Sequence, residues 1–225
     1  MDYRQVIKKL ESLASKRNVE GMARFGIRPK AKVLGVSLPF LRKIAKDIKK
    51  DHKLAQELWD SGIHEAKILA SIIADKEKLT EKIMNKWVKD FDSWDIVDQT
   101  CMNLFGVSKF ADKKIFEWAK NKEEFIRRTA FSLMAVLAVK NKEMKNADFL
   151  RYFELIKKYS TDERNFVKKA VNWALRQIGK RNKKLNKEAI KLAKEIGATN
   201  SKPAKWIASN ALSELTNKKY QNKLK

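Results

Sequence analysis

A chain of 225 residues that is 44% apolar has room for one large domain or two small ones with a real core, which excludes a disordered tail. Lys and Arg number 51 against 27 Asp and Glu, a formal charge of +24. A field of that size repels itself unless a polyanion is the partner, so nucleic acid leads and an anionic membrane surface follows. One Cys rules out a disulfide framework, and two His far apart without a C-x-x-C or H-E-x-x-H pattern argue against a metal site.

Residues 3–13 set Tyr3, Val6, Ile7, Leu10 and Leu13 on one helical face. Residues 37–48 repeat the pattern with Leu38, Leu41, Ile44, Ala45 and Ile48, Pro39 being tolerated in the first turn. The same period predicts helices over 53–60, 63–75, 77–89, 93–106, 110–120, 123–140, 146–159, 163–179, 184–196 and 203–215. Polar or Gly-containing breaks separate them, among them Ser61-Gly62 and Gly197-Ala198-Thr199. No stretch alternates at period two for long enough to make a strand. The predicted class is all-α, one domain over 1–225, with the basic tail 217–225 frayed. No run of 18 apolar residues and no signal-peptide layout are found, so a soluble protein of the cytoplasm, associated with the nucleoid, is expected.

The helices repeat. FIRRTAFSLM at 125–134 matches FVKKAVNWAL at 166–175 as an aromatic, a β-branched residue, two cations and an apolar run, 41 residues apart. AKWIASNALSEL at 204–215 follows 37 residues on, and IHEAKILASII at 63–73 is a degenerate fourth copy. A two-helix unit near 40 residues is the signature of HEAT-type solenoids, in which helix pairs stack into a curved superhelix. The cations that recur in register, Arg127-Arg128 and Lys168-Lys169, would stack there into a stripe along a basic concave groove. Such a stripe suits a phosphate backbone and predicts steep salt dependence. The run KRNKKLNK at 180–187 reads equally as a further contact or as a solvated loop.

DFDSWDIVDQTC at 90–101 carries the chemistry. Written as a helix, its stripe is Trp94, Val97, Cys101, Leu104 and Phe105, with Cys101 a small core residue. Asp98 falls on the same face one turn after Trp94. Trp173 lies one turn after Lys169 and shares the cationic face. Two readings stay open for Asp98: a structural ion pair with Arg128 or another cation, or stabilisation of positive charge developing in a reaction. Asp95 reads as a first-turn acid favoured by the helix dipole, with Asp92 or Ser93 as cap. Nucleophile triads find no support in His52 and His64, and Gly-rich phosphate loops are absent.

SWDIVDQ, RRTA and KKAVNWALR, together with GMARFGI at 21–27, LGVSLPFLRKIAKDI at 34–48 and WIASNALSEL at 206–215, resemble the AlkD-like DNA alkylation repair glycosylases, a HEAT-like all-α family. The resemblance implies a monofunctional glycosylase that removes cationic N3- or N7-alkylated purines from duplex DNA, without a cofactor and as a monomer. It places Asp98 at the deoxyribose of the lesion, Trp94 and Trp173 on sugar and lesion, and Arg128 on a nearby phosphate. Arg127, Lys168, Lys169, Arg176, Lys205 and Phe25 are the accompanying DNA contacts. Phe25 stands where better-known members have a tyrosine, so a hydroxyl contact is lost there. The alternative function is a non-catalytic DNA- or RNA-binding solenoid for damaged or branched structures, using the same cations without Asp98. A protein–protein scaffold is the third reading.

Overall fold

The structure, a computed structural model, describes residues 1–222 and 224. All regular elements among them are helical, and the one β feature is an isolated bridge between Lys32 and Ile63. None of these helices is long and apolar enough to cross a membrane. The chain divides into two compact units, Met1–Ser108 and Lys109–Lys225.

The first unit holds α1 (Tyr3–Ser12), α2 (Lys16–Arg24), α3 (Leu38–Ile48), α4 (His52–Trp59), α5 (His64–Ile73), α6 (Glu81–Lys89) and α7 (Trp94–Asn103). Helix α5 is its hub, packed against α3, α4 and α7, and most of its residues are buried. Trp59 of α4 and Trp87 of α6 stack face to face at 3.8 Å and 3° in the core. The helix expected over 77–89 begins only at Glu81. Asp75 caps a 3₁₀ turn at Lys76–Lys78, and the Thr80 hydroxyl then accepts the Ile83 N–H to start a new helix. Likewise the helix expected to reach 106 ends at Asn103 and resumes as a 3₁₀ turn, Phe105–Val107. Helix α2 answers to no expected helix.

Between α2 and α3 the chain runs without regular structure, and one buried carboxylate ties it down. Glu65, 1% exposed, accepts the backbone N–H groups of Leu34 at 2.9 Å and Gly35 at 2.6 Å. Gly35 has φ +76°, and a Cβ there would lie 2.3 Å from the Ser15 carbonyl oxygen, so only glycine fits.

The second unit holds α8 (Ala111–Trp118), α9 (Glu124–Lys140), α10 (Asn146–Tyr159), α11 (Asn165–Gly179), α12 (Lys183–Gly197), α13 (Lys202–Leu215) and the one-turn α14 (Lys218–Gln221). Helices α9, α11 and α13 begin 41 and 37 residues apart, the spacing of the sequence repeat, and pack side by side, with α8, α10 and α12 as their partners. Helix α9 is buried almost all round from Ile126 to Ala138, as the central helix of such a layer must be. Of the tail expected to fray, α14 docks through Gln221, whose side-chain amide donates to Asn186 at 2.9 Å and to the Leu215 carbonyl, and Lys180 lies over the Tyr220 ring. Positions 223 and 225 lie outside the described residues.

Candidate functional site

Helix α7 follows Ser93 and sets two rows side by side. Its buried side is Ile96, Val97, Thr100 and Cys101. Trp94 and Asp98 are half-buried at the margin of that stripe rather than inside it, so the carboxylate is held against the protein without being enclosed. The Trp94 indole N–H donates to the Phe25 carbonyl oxygen at 3.0 Å, which fixes the ring. Phe25 itself is 76% exposed. The structure thus joins Trp94 to Phe25, and Asp98 follows Trp94 one turn along the same helix.

Asp95 is the first-turn acid of α7, as expected, and has further partners that the sequence does not announce. Its Oδ2 meets His64 Nε2 at 2.7 Å, and its Oδ1 accepts the Ser93 hydroxyl at 2.7 Å. Burial opposes charge on both partners. The bond between them outweighs it, holding the His64 imidazole above its ordinary value and the Asp95 carboxyl below its own, with Ser93 and the Ile96 N–H assisting. A serine, a histidine and an aspartate do meet here, but the serine hydroxyl is spent on the carboxylate and His64 is fully buried, so no nucleophile is activated. Ser93 makes no side-chain cap, and the Asp92 carboxylate accepts the Lys30 N–H instead.

A cavity of about 830 Å³ opens beside this row in the first unit. Met22, Leu38 and Ile68 give it apolar walls, while Trp94, Asp95 and Gln99 of α7 line one side.

In the second unit the two cations of RRTA part company. Arg128 is only 5% exposed and donates to the Phe166 carbonyl oxygen at 2.7 Å, joining α9 to the start of α11. Arg127 binds Asp162 at 2.7 Å and the Ala119 carbonyl at 3.1 Å, and covers the Tyr159 ring at 4.5 Å. Burial would raise the Asp162 carboxyl, yet bonds from Arg164 and Arg127 hold it below its ordinary range. Arg176 is likewise engaged: with Lys180 it clasps Glu214 of α13. These two arginines tie helices together, which leaves them little to offer a phosphate. Lys169 and Lys205 are exposed, Trp173 is half-buried, and Lys168 lies 5.0 Å from the centroid of the Trp206 ring, itself 39% exposed. Trp206 is not among the expected site residues; its place directly after the repeat's Lys205 does not distinguish it from a core aromatic. No group of three His, Cys, Asp or Glu side chains among the described residues is placed to hold a metal ion.

The profile of the DNA alkylation repair enzyme family matches residues 6–215. A solved structure described as belonging to "a new family of proteins related to the HEAT-like repeat DNA glycosylases with affinity for branched DNA structures" superposes with a TM-score of 0.79, at 23% identity over 96% of each chain. The two share a fold. A designed armadillo repeat protein in complex with a (KR)4 peptide gives a TM-score of 0.35 at 15% identity, over 82% of this chain and 78% of that one. No curated protein matches the chain significantly.

Proposed function

The chain belongs to the DNA alkylation repair enzyme family, and from that premise we propose that it is a monofunctional glycosylase releasing cationic N3- or N7-alkylated purines from duplex DNA. The observation that carries the reading is the pair on the open margin of α7: a half-buried Asp98 carboxylate one turn from a half-buried indole fixed to the Phe25 carbonyl.

An alkylated purine already bears positive charge and leaves without a strong general acid. As the glycosidic bond lengthens, the sugar becomes oxocarbenium-like. A carboxylate held in place beforehand stabilises that cation at no reorganisation cost and can orient the attacking water. Trp94 offers its face to a cationic ring. Trp173 has the same role in the second unit, and Arg128, buried as it is, positions the α9–α11 junction and meets DNA only at its edge. Lys168, Lys169 and Lys205 supply the phosphate contacts, with Phe25 packing on the sugar-phosphate surface. Arg127 and Arg176 are left out of that set because Asp162 and Glu214 occupy them. The protein works as a monomer inside the cell.

The test is release of 7-methylguanine and 3-methyladenine from methylated duplex DNA by wild type and Asp98→Asn. Release should fall by about 10²–10³ in the variant while salt-sensitive duplex binding is retained. A wild type that binds duplex DNA tightly and releases no base discards the glycosylase. The second reading then stands, a non-catalytic binder of damaged or branched DNA, in line with the affinity attributed to the protein that shares this fold.

A further inference from the structure

The cavity beside α7 is not needed for the chemistry at Asp98, which is not among its lining residues. Its polarity is ordered. At the rim stand Arg17 and Arg24, both exposed. One wall is the Trp94 indole, fixed by the Phe25 carbonyl. Deeper lie acceptors: Asp95, and Gln99, whose side-chain oxygen is buried with no hydrogen-bond partner among the described residues. A buried amide oxygen without a donor costs free energy unless something occupies the space before it. The volume is within the range of small-ligand pockets.

We infer that this cavity binds one nucleotide with an amine-bearing base, the base stacked on Trp94 and donating to Gln99, the phosphate held at the rim by Arg17 and Arg24. Each feature selects for part of that ligand. An indole face takes any base by stacking. A carbonyl oxygen takes a donor from the base edge, and the exocyclic amines of adenine, guanine and cytosine supply one with a second N–H to spare for Asp95. Arginines at the mouth suit the anion attached to it. The nucleotide comes either from a DNA strand, as an unpaired base turned out of the stack, or from solution. An unpaired base is the cheapest to turn out. The inference rests on the DNA reading only for the first source.

Gly21 makes the cavity testable without damage to the fold. It lines the space, and a Cβ built there meets no atom within 4 Å, so Gly21→Leu projects into the void. Gln99→Leu removes the acceptor at nearly constant shape. The probes are a labelled duplex with one bulged adenine, the same duplex with an abasic sugar in the bulge, the fully matched duplex, and free deoxyadenosine monophosphate followed by saturation-transfer NMR. Wild type should bind the adenine bulge about tenfold tighter than the abasic bulge. Both variants should lose that preference, with thermal melts and matched-duplex affinity unchanged. Should the bulges bind alike while the free nucleotide binds wild type and not Gly21→Leu, the cavity is a nucleotide site filled from solution. Equal bulge affinities with no nucleotide binding overturn the inference, as does a preference that survives Gly21→Leu. Methylated-purine release by wild type with both arms negative removes the cavity proposal alone. A positive arm with no base release by wild type removes the glycosylase alone.

Discussion

The two units manage polar groups in different ways. In the second, polar contacts recur at one register between α9, α11 and α13: Arg128 to Phe166, Asn172 to Asn210 and Arg176 to Glu214 are each 38 residues apart. The outer helices keep it too, in Lys157 of α10 with Glu195 of α12. In the first unit the separation is shorter, 31 residues for Leu34 to Glu65, Trp59 to Asp90 and His64 to Asp95 alike, and Glu65, Trp59 and His64 are more deeply buried. Glu65 is buried against two backbone N–H groups, and His64 is buried against Asp95. Regular stacking lets each repeat satisfy the next, and the cavity found there, about 580 Å³, is walled mainly by charged residues such as Arg127, Asp162 and Arg164. Where the repeat is interrupted, between α2 and α3, single buried charges hold the chain in place, and the 830 Å³ cavity with its more apolar walls lies there.

That contrast can be broken most sharply at Glu65. Glu65→Ala strands two buried N–H donors and should cost about 3–5 kcal/mol, read by urea denaturation. Hydrogen exchange should rise first over residues 25–37. If exchange there is unchanged, the anchor role is wrong.

Next comes the His64–Asp95 pair, where Asp95→Ala should cost about 3 kcal/mol, with a pH signature. The raised His64 value gives stability that is complete below the ordinary 6.5 and fades as pH climbs through the folded value. The lowered Asp95 value gives stability that is complete above the ordinary 3.8 and fades as pH drops through the folded value. The difference between wild type and variant should therefore peak between those two ordinary values and shrink on either side. A flat difference would mean that the pair does not titrate on unfolding.

In the second unit the effects should be smaller. Glu214→Gln weakens the clasp of Arg176 and Lys180 and should cost about 1 kcal/mol. Burial opposes the Glu214 charge, yet bonds from Lys180 and Arg176 hold its carboxyl below the ordinary range. The loss should thus be complete above that range and fade as pH falls through the lowered folded value. Lys157→Ala, at a pair more than 40% exposed on both sides, should change stability by about 0.3 kcal/mol or less. Should Lys157→Ala match Glu65→Ala in cost, the contrast between the units collapses.

The same contrast explains what could be read in the sequence. Periodicity and the 41- and 37-residue spacings give α9, α11 and α13 because repeated burial leaves a repeated apolar pattern. Helix α2 has no fully buried residue, and Val19, Met22 and Ala23 of KRNVEGMAR form only a short apolar stripe, brief enough to pass unrecognised. His64 and Asp95 are 31 residues apart, a separation that matches neither the 41- nor the 37-residue sequence spacing, so neither position announces the other. Arg127 and Arg128 look like a matched pair of surface cations. Only the fold shows that Asp162, 35 residues on, claims the first and that the second is buried. Asp98 and Trp94 were legible because a carboxylate beside an apolar stripe is rare enough to stand out.

The parallel stack of Trp59 on Trp87 has an optical consequence. Two indoles 3.8 Å apart at 3° share their excited states, so the first unit should carry an exciton couplet in far-ultraviolet circular dichroism that the four other tryptophans lack. Neither Trp59 nor Trp87 belongs to the proposed site. The couplet therefore gives a label-free signal for the order of the α4–α6 core during a melt or a DNA titration, separate from any quenching of Trp94.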